Sequence, residues 1–474
     1  MSVFPALGPL IALTGGALVV LLADAFLKRE NKNYLAYLSL AALVVTAGLG
    51  VRLWGRNAQA FDGMLRLDDV ALFLSFLLLI ATAFVILMGM GYIARQDMND
   101  GEFYSLLLLA LAGLLIMVSS GHLIVIFLGL ETLSVSSYAL AGLRRRDARS
   151  TEAAVKYFLI GSFAAAFIVF GLALLFGGAG TLEASDIAAA GANMHPLLAL
   201  AGLALVLAGF AFKLGLVPFH MWQPDVYEGA PTPVSAFFIF GPKAAGFAVL
   251  LRLLLPYWQS GVKKEAVFAV LWAVAAASMI LGSLVALRQR NLKRMLAYSS
   301  IANAGYMLIA VLAGDGTGLL FYLANYLFLG IGAFGALIAL SRKGAEYTDL
   351  EDFAGIGSRY PWIGGLFTIF LVSLAGFPPT GGFLAKFYVF STAVREGHVA
   401  LVLIAVLSSL VSVFYYLRVV VYMYMREPER KIAVDFENPP LFLVLFLCVY
   451  GVLQLGLFPA NVLALIRHAV SALF

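Results

Sequence analysis

Four ionisable side chains lie inside segments that otherwise have the composition of membrane-spanning helices: Glu131, Lys213, Lys243 and Lys386. A charged side chain at the centre of a bilayer costs at least about 2.5–3.5 kcal/mol on insertion scales, so each of these residues predicts a compensating role. Lysine is informative because its amine can become neutral when it is desolvated, whereas arginine stays charged. A series of buried lysines can therefore pass protons by alternating between the ammonium and amine forms.

The three lysines lie near prolines that we expect to break their helices: Pro218, Pro242, Pro378 and Pro379. Backbone groups freed from helical hydrogen bonds are tolerated inside a membrane only where protein or water satisfies them. Buried charge beside a broken helix is therefore typical of an ion path. The sequence predicts that this chain moves charge across a membrane.

Glu131 requires a basic partner, since an unpaired carboxylate inside the membrane would take up a proton. Lys213 and Lys156 are the candidate partners, and a purely structural ion pair between helices is the alternative. Lys156 lies about one turn inside its span, where it either modulates Glu131 or extends its amine to the membrane interface. His220 follows the break at Pro218 and either caps freed carbonyl groups or lines the proton path.

The composition identifies an integral membrane protein and excludes several kinds of site. Of the 474 residues, 62% are hydrophobic and only 12% are charged, against about 25% charged in soluble domains. The one cysteine, Cys448, cannot hold an iron–sulfur cluster or a structural zinc, and the five histidines are scattered. We therefore predict no redox centre, cofactor or metal in this chain and no nucleic-acid partner.

Fourteen apolar runs separated by short polar turns predict an all-α polytopic membrane protein. Connections after odd-numbered spans hold eighteen lysines and arginines, whereas those after even-numbered spans, with the termini, hold seven. By the positive-inside rule, the odd loops face the cytoplasm and both termini face the periplasm. The predicted spans are about 3–27, 34–52, 70–94, 103–120, 122–142, 152–177, 197–221, 235–256, 265–287, 295–313, 317–340, 360–395 (interrupted), 398–425 and 440–465.

Spans seven and twelve carry similar interruptions, each with a lysine close to proline. They lie five spans apart and so cross the membrane in opposite senses, as an inverted pair of five-helix repeats (spans 4–8 and 9–13) would require. This predicts four parts: three N-terminal spans in 1–102, a first repeat in 103–258, a second in 259–431 and a last span in 432–474.

Three motifs resemble the proton-translocating membrane subunits of NADH:quinone oxidoreductase (respiratory complex I), which are related to Mrp-type cation/proton antiporters. The motifs are AFKLGLVPFHMWQPDVYEGAPTP (211–233), RNLKRMLAYSS (290–300) and LAGFPPTGGF (374–383). The resemblance covers the chain from about Phe103 to Arg426. Among the antiporter-like subunits, the chain is most similar to subunit N, because of the DVYEG segment, the lysine at 386 and the lack of a long lateral helix after span fourteen.

The resemblance implies a role for each charged position. Glu131 and Lys213 would form a coupling pair, and Lys156 would modulate the glutamate. Lys243 would be the central connecting lysine, and Lys386 the terminal one of the second half-channel.

The resemblance also implies that this chain is part of an enzyme whose NADH, FMN, iron–sulfur clusters and quinone belong to partner subunits. The expected partners are the antiporter-like subunit M, small membrane subunits, the peripheral redox arm and lipids, in a bacterial inner membrane. The leading hypothesis is a proton-pumping subunit of that enzyme. The alternatives are a subunit of an Mrp-type antiporter or membrane-bound hydrogenase, or a scaffold whose lysines only anchor helices.

Overall fold

The structure is a computed structural model that describes residues 4–27, 33–96, 98, 100–190, 194–260, 264–341, 346–428 and 438–471. In these ranges the chain forms nineteen α-helices and one short β-hairpin. The helices are α1 (Phe4–Phe26), α2 (Asn33–Val51), α3 (Asp69–Arg95), α4 (Asp100–Val118), α5 (Leu123–Ala141), α6 (Ala148–Ala179), α7 (Ala184–Ala190), α8 (Pro196–Leu214), α9 (Trp222–Gly229), α10 (Thr232–Ser260), α11 (Lys264–Ala286), α12 (Leu292–Leu312), α13 (Gly316–Ala339), α14 (Ile356–Arg359), α15 (Pro361–Ala375), α16 (Gly381–Arg395), α17 (Val399–Met425), α18 (Pro439–Leu457) and α19 (Ala460–Ser471).

The prediction of an all-α polytopic membrane protein is confirmed. Thirteen helices in the described ranges are long and apolar enough to cross a membrane. Predicted span twelve is divided between the shorter helices α15 and α16. Spans seven and fourteen end earlier than predicted, at Leu214 and Leu457, and are followed by the separate helices α9 and α19. The division of the chain after residues 102, 258 and 431 remains a prediction.

Short elements cover one end of the helix bundle. Strands β1 (Ala58–Ala60) and β2 (Leu65–Leu67) pair antiparallel and contact α1. Arg66 of β2 binds Glu183, which precedes α7, at 3.0 Å. The amphipathic helix α19 packs on α3, with His468 Nε2 3.4 Å from the Asp69 carboxylate. The hairpin beside α1 and the C-terminal helix thus lie at the same end of the bundle.

The centre of the bundle consists of α10, α12 and α13. The apolar stretch of α10 is buried along its whole length, and those of α12 and α13 are almost as deeply buried. A helix that is apolar all round is stable only when other helices or lipid surround it. By contrast, α1, α6 and α17 leave most of their apolar surface uncovered by this chain. The polar residues of α10 and α12 are therefore enclosed by protein rather than by lipid.

The helix α10 continues through Pro242, contrary to the predicted break. Proline at position i lacks the N–H that would bind the carbonyl of residue i−4, which here is Phe238. The hydroxyl of Tyr227 donates to Phe238 O at 2.9 Å and replaces that bond. A side chain from α9 therefore satisfies the carbonyl that the proline frees, and the helix need not end.

The count of basic residues used to orient the chain requires one correction. The sequence predicts Lys293 in a loop, but this residue lies in the first turn of α12 and is 1% exposed, because its amine has buried oxygen partners. Several residues in that count lie outside the described residues: Lys28, Arg29, Lys32, Lys263, Arg342, Lys343, Arg430 and Lys431. The orientation of the chain therefore remains a prediction.

Candidate functional site

The first helix break follows Lys213. Helix α8 ends at Leu214 because Gly215 adopts the left-handed conformation (φ 70°) and its N–H binds carbonyls of the last turn. A Cβ at residue 215 would lie 1.7 Å from Gln223 Oε1, so glycine is required for both its conformation and its size. A cis Val217–Pro218 peptide bond follows, and the chain resumes as α9 at Trp222.

The second break has the same construction. Helix α15 ends at Ala375, Gly376 is left-handed (φ 92°), a cis Pro378–Pro379 bond follows, and α16 begins at Gly381. In both breaks the cis proline lies three residues after the left-handed glycine. The two breaks thus share one backbone construction, a left-handed glycine at the end of a helix followed within three residues by proline.

A lysine amine occupies the end of the half-helix at each break. Lys243 Nζ donates to Leu214 O at 2.5 Å, and Lys386 Nζ donates to Leu374 O at 3.0 Å and Ala375 O at 3.2 Å. The last carbonyls of a helix carry partial negative charge and lack helical partners, so a cation is favourable there. Both lysines are buried, at 1% and 7% exposure respectively.

Lys213 lies in a pocket between α5 and α6. Its amine donates to Ser134 Oγ at 2.8 Å and Tyr157 OH at 3.4 Å, and it lies over the rings of Tyr157 and Tyr138 at 5.2 Å and 5.8 Å. Polar and aromatic groups therefore surround this buried amine, which is 2% exposed.

Glu131 is close to Lys213 but does not form the expected direct ion pair with it. Ser134, one turn further along α5, takes the amine instead. Glu131 is half-buried, and its Oε1 has no hydrogen-bond partner among the described residues. The two charges interact electrostatically through the Ser134 pocket rather than by contact.

Lys156 binds other carboxylates than Glu131. Its amine lies 2.8 Å from Asp225 and 2.7 Å from Glu152, and its side chain is 42% exposed. Asp225 also binds Arg294 at 2.7 Å. Burial alone would raise the pKa of Asp225, but the hydrogen bonds from Lys156 and Arg294 outweigh it and lower that pKa. Lys156 thus holds α9 against α6, and Arg294 holds it against α12.

His220 lies in the first break, between α8 and α9, and is half-buried. Its Nδ1 is buried and has no hydrogen-bond partner in the described part of the chain. Its backbone carbonyl accepts the N–H of Gln223 at 3.0 Å. The imidazole therefore lies within the break, beside the backbone of Pro218.

A row of polar side chains on α12 and the helices around it runs towards Lys386. Ser300 Oγ and, on α13, Tyr326 OH are buried without partners among the described residues. Further along, Ser299 contacts the hydroxyl of Tyr416, and Tyr306 OH is 3.0 Å from Ser408 Oγ. Lys386 completes the row, 2.9 Å from Ser409 Oγ and 5.3 Å from the centre of the Tyr306 ring. Buried hydroxyls with free hydrogen-bonding capacity are positions for ordered water.

Lys386 also borders a cavity of about 1130 Å³ between α16 and α17. Its lining is mostly apolar and includes four phenylalanines, with Ser409 beside the Lys386 amine and Arg395 where α16 ends. The cavity therefore leads from the Lys386 amine towards the even-loop end of the bundle.

Sequence reasoning missed a buried ionic cluster at the opposite end. Glu346 binds Arg144 at 3.0 Å, Thr232 Oγ1 at 2.5 Å and Lys293 at 3.4 Å, and it contacts the hydroxyl of Tyr92. Burial alone would raise the pKa of Glu346, but Lys293 and Arg144 lower it to about 2. Both Glu346 and Arg144 lie in polar connections, so no break in an apolar run marked them.

The described residues contain no group of three or more His, Cys, Asp or Glu side chains placed to hold a metal ion. The functional groups that the structure brings together at the two breaks are amines, hydroxyls and a carboxylate.

Comparison with known proteins gives the same class as the fold and the site. Residues 120–412 match the family model described as NADH:quinone oxidoreductase/Mrp antiporter, TM. The chain is also similar to the membrane-bound sulfane sulfur reductase, an archaeal respiratory membrane complex, with 25% identity over 99% of this chain and 97% of the other and a TM-score of 0.88. The protein is therefore an antiporter-like membrane subunit.

Closer relatives define the particular family. NADH-quinone oxidoreductase subunit N of Trichlorobacter lovleyi is 41% identical over 98% of this chain and 96% of its own length. A chain of respiratory complex I from Thermus thermophilus is 34% identical over 96% of this chain and 98% of its own, with a TM-score of 0.83. This chain belongs to the subunit N family of NADH-quinone oxidoreductase. It is thus a membrane subunit of that enzyme.

Proposed function

We propose that this chain carries protons across the membrane through Glu131, Lys213, Lys243 and Lys386, driven by electron transfer from NADH to quinone elsewhere in the enzyme. The observation that carries the proposal is the placement of the Lys243 and Lys386 amines at the ends of half-helices. An amine hydrogen-bonded to a carbonyl keeps that bond in both its charged and its neutral form. Such a site tolerates repeated protonation and deprotonation.

The charged groups are coupled because each lies close to the next. A change of charge near Glu131 alters the field at Lys213, which is bound one helical turn away at Ser134. Lys243 binds the carbonyl of Leu214, the residue next to Lys213, so it responds in turn. The polar row on α12 then carries the proton to Lys386. The opposing membrane potential costs about 2.3 kcal/mol per charge for each 100 mV.

The redox chemistry belongs to partner subunits in this proposal. NADH, FMN, iron–sulfur clusters and quinone are bound there, while the antiporter-like subunit M and small membrane subunits flank this chain. We place it in a bacterial inner membrane with both termini on the periplasmic side. That orientation opens the cavity beside Lys386 towards the periplasm.

Proton uptake by inverted membrane vesicles tests the proposal. Lys243→Met, and the double variant with Lys386→Met, should lower proton uptake per NADH oxidised while the complex still assembles with its flavin- and cluster-bearing subunits. Unchanged uptake in the double variant would show that the lysines only anchor helices. Exchange of sodium for protons without any electron donor would instead favour an antiporter of the Mrp type.

A further inference from the structure

The helix α9 has a buried lysine at each end. Lys243 lies at its N-terminal end, near Gly215 and Gln223. Lys293 lies at its C-terminal end, where its amine donates to the carbonyl of the capping residue Ala230 at 2.6 Å. A helix of this length spans about 12 Å, at 1.5 Å per residue. The two amines are therefore separated by about the length of one short helix.

Gln223 lies between these lysines and has hydrogen-bonding capacity to spare. It is 1% exposed, and its Nε2 donates to Ala297 O, one turn after Lys293 on α12, at 3.1 Å. Its Oε1 is buried and has no partner in the described ranges. Both side chains approach Gly215: a Cβ added to that glycine would lie 1.7 Å from Gln223 Oε1 and 3.7 Å from Lys243 Nζ. Gln223 Oε1 and Lys243 Nζ make no direct hydrogen bond, but they are close enough for one water to bridge them.

The ionic cluster around Glu346 leaves Lys293 free to lose its proton. Arg144 is closer to the Glu346 carboxylate, at 3.0 Å, than the Lys293 amine, at 3.4 Å. Arginine stays charged in proteins, so Glu346 keeps a cationic partner whatever the state of Lys293. Neutral Lys293 could still donate to Ala230 O. The side chains of Glu346 and Arg144 are 10% and 16% exposed, so the cluster reaches towards the surface at the odd-loop end.

We propose that Lys293 is a further proton-carrying lysine, which receives protons beside Glu346 at the odd-loop end and passes them along α9 to Lys243 through Gln223 and bound water. The proposal rests on the proposed function, because Lys243 must itself be a proton carrier. It gives the lysine series an uptake route at the end of the bundle opposite the cavity beside Lys386. Glu346 is then a positioning residue that holds the Lys293 amine against the end of α9.

Charge-conserving and charge-removing variants of the whole complex test this route in inverted vesicles. Lys293→Arg keeps the ion pair and the donation to Ala230 O but removes the ability to release a proton. Proton uptake per NADH oxidised should fall in Lys293→Arg and in Lys293→Met by the same fraction as in Lys243→Met. Electron transfer with an uncoupler and the amount of assembled complex should stay near wild type. Arg252→Met is the matched control, since it removes another buried cation, bound to Asp68 at 2.7 Å, and should leave the uptake ratio unchanged.

Two outcomes separate this inference from the proposed function. Normal uptake in Lys293→Arg beside reduced uptake in Lys243→Met would overturn the role of Lys293 alone. Normal uptake in both would overturn the proposed function as well.

If the Lys293 variants do not assemble, substitutions of Gln223 decide the matter. Gln223→Leu removes the groups that hold water next to Lys243 and should lower the uptake ratio. Gln223→Glu keeps a polar group that binds water at this position, so its proton uptake ratio should be higher than that of Gln223→Leu. Equal, normal ratios in these two variants would overturn the route along α9.

Discussion

Arginine and methionine at position 243 separate proton transfer from helix capping. Within the described part of the chain, Lys243 makes one hydrogen bond, to Leu214 O at 2.5 Å, and it is 1% exposed. Arginine can keep both the charge and that bond but does not lose its proton in proteins. If Lys243 is a relay, Lys243→Arg and Lys243→Met should both stop proton transfer. If it only caps α8, Lys243→Arg should behave like the wild type.

The expected changes in stability are small enough for either variant to assemble. Methionine leaves Leu214 O unpaired, which costs about 1–3 kcal/mol, but it also removes a buried charge whose desolvation costs several kcal/mol. Arginine adds volume to a packed site, which costs about 1–3 kcal/mol. The change in proton transfer is much larger, because a positioned acid–base group contributes about 10²–10⁴-fold.

The assay compares NADH-driven proton uptake with NADH oxidation in the presence of an uncoupler, using inverted vesicles. Arg418→Met is a suitable structural control, since Arg418 donates to Leu287 O at 2.7 Å and Gln289 O at 2.6 Å and thus also caps a helix end. It should lose stability without losing coupling. Wild-type uptake per NADH in Lys243→Arg would refute the relay and leave helix capping as the role of Lys243.

Three further predictions follow from the same structure. Glu131→Gln should lower proton uptake per NADH while the complex still assembles, since glutamine keeps the shape of the side chain and Glu131 Oε1 has no partner among the described residues. A large loss of assembled complex would contradict this. Tyr227→Phe should destabilise the protein by about 1–3 kcal/mol, because it leaves Phe238 O without its hydrogen-bond donor. In a Pro242→Ala background the backbone N–H of residue 242 can bind Phe238 O, so the same change should be nearly neutral in thermal unfolding. Equal costs in both backgrounds would refute the idea that the Tyr227 hydroxyl replaces the missing helical hydrogen bond. Glu346→Gln should lose a constant amount of stability above pH 4.5, the ordinary pKa of the glutamate side chain. That loss should shrink as the pH falls towards 2, because the native carboxylate keeps its charge down to a pKa of about 2. A difference in stability between wild type and Glu346→Gln that does not depend on pH would contradict this.

The apolar runs predict the bundle well because membrane-spanning helices are constrained by length and composition alone. The same local pattern does not predict Pro242, whose effect depends on Tyr227, 15 residues earlier in a different helix. Local sequence reports that a carbonyl is freed, but only the packing reveals whether another side chain binds it. Hence the breaks after Gly215 and Gly376, where the backbone itself turns, are visible in the sequence, whereas the intact α10 is not.

The charged residues divide in a similar way. Lys213, Lys243 and Lys386 stand out because they interrupt apolar runs. Lys293 and Glu346 do not, since basic and acidic residues are ordinary in the polar connections between spans. Their burial results from the folding of loops against α9 and α10, which hydropathy does not encode.

The positions of the lysine amines explain why lysine rather than arginine suits this fold. Lys243 and Lys386 each donate to a carbonyl at the end of a broken helix, and neither has a carboxylate partner among the described residues. The partial negative charge there offsets part of the desolvation cost of the ammonium form, and the same carbonyl still accepts a hydrogen bond from the neutral amine. A buried carboxylate partner would favour the charged form much more strongly, and an apolar pocket would favour the neutral one. Helix ends lie between these extremes, so a broken helix supplies a site at which both protonation states of a buried lysine are accessible.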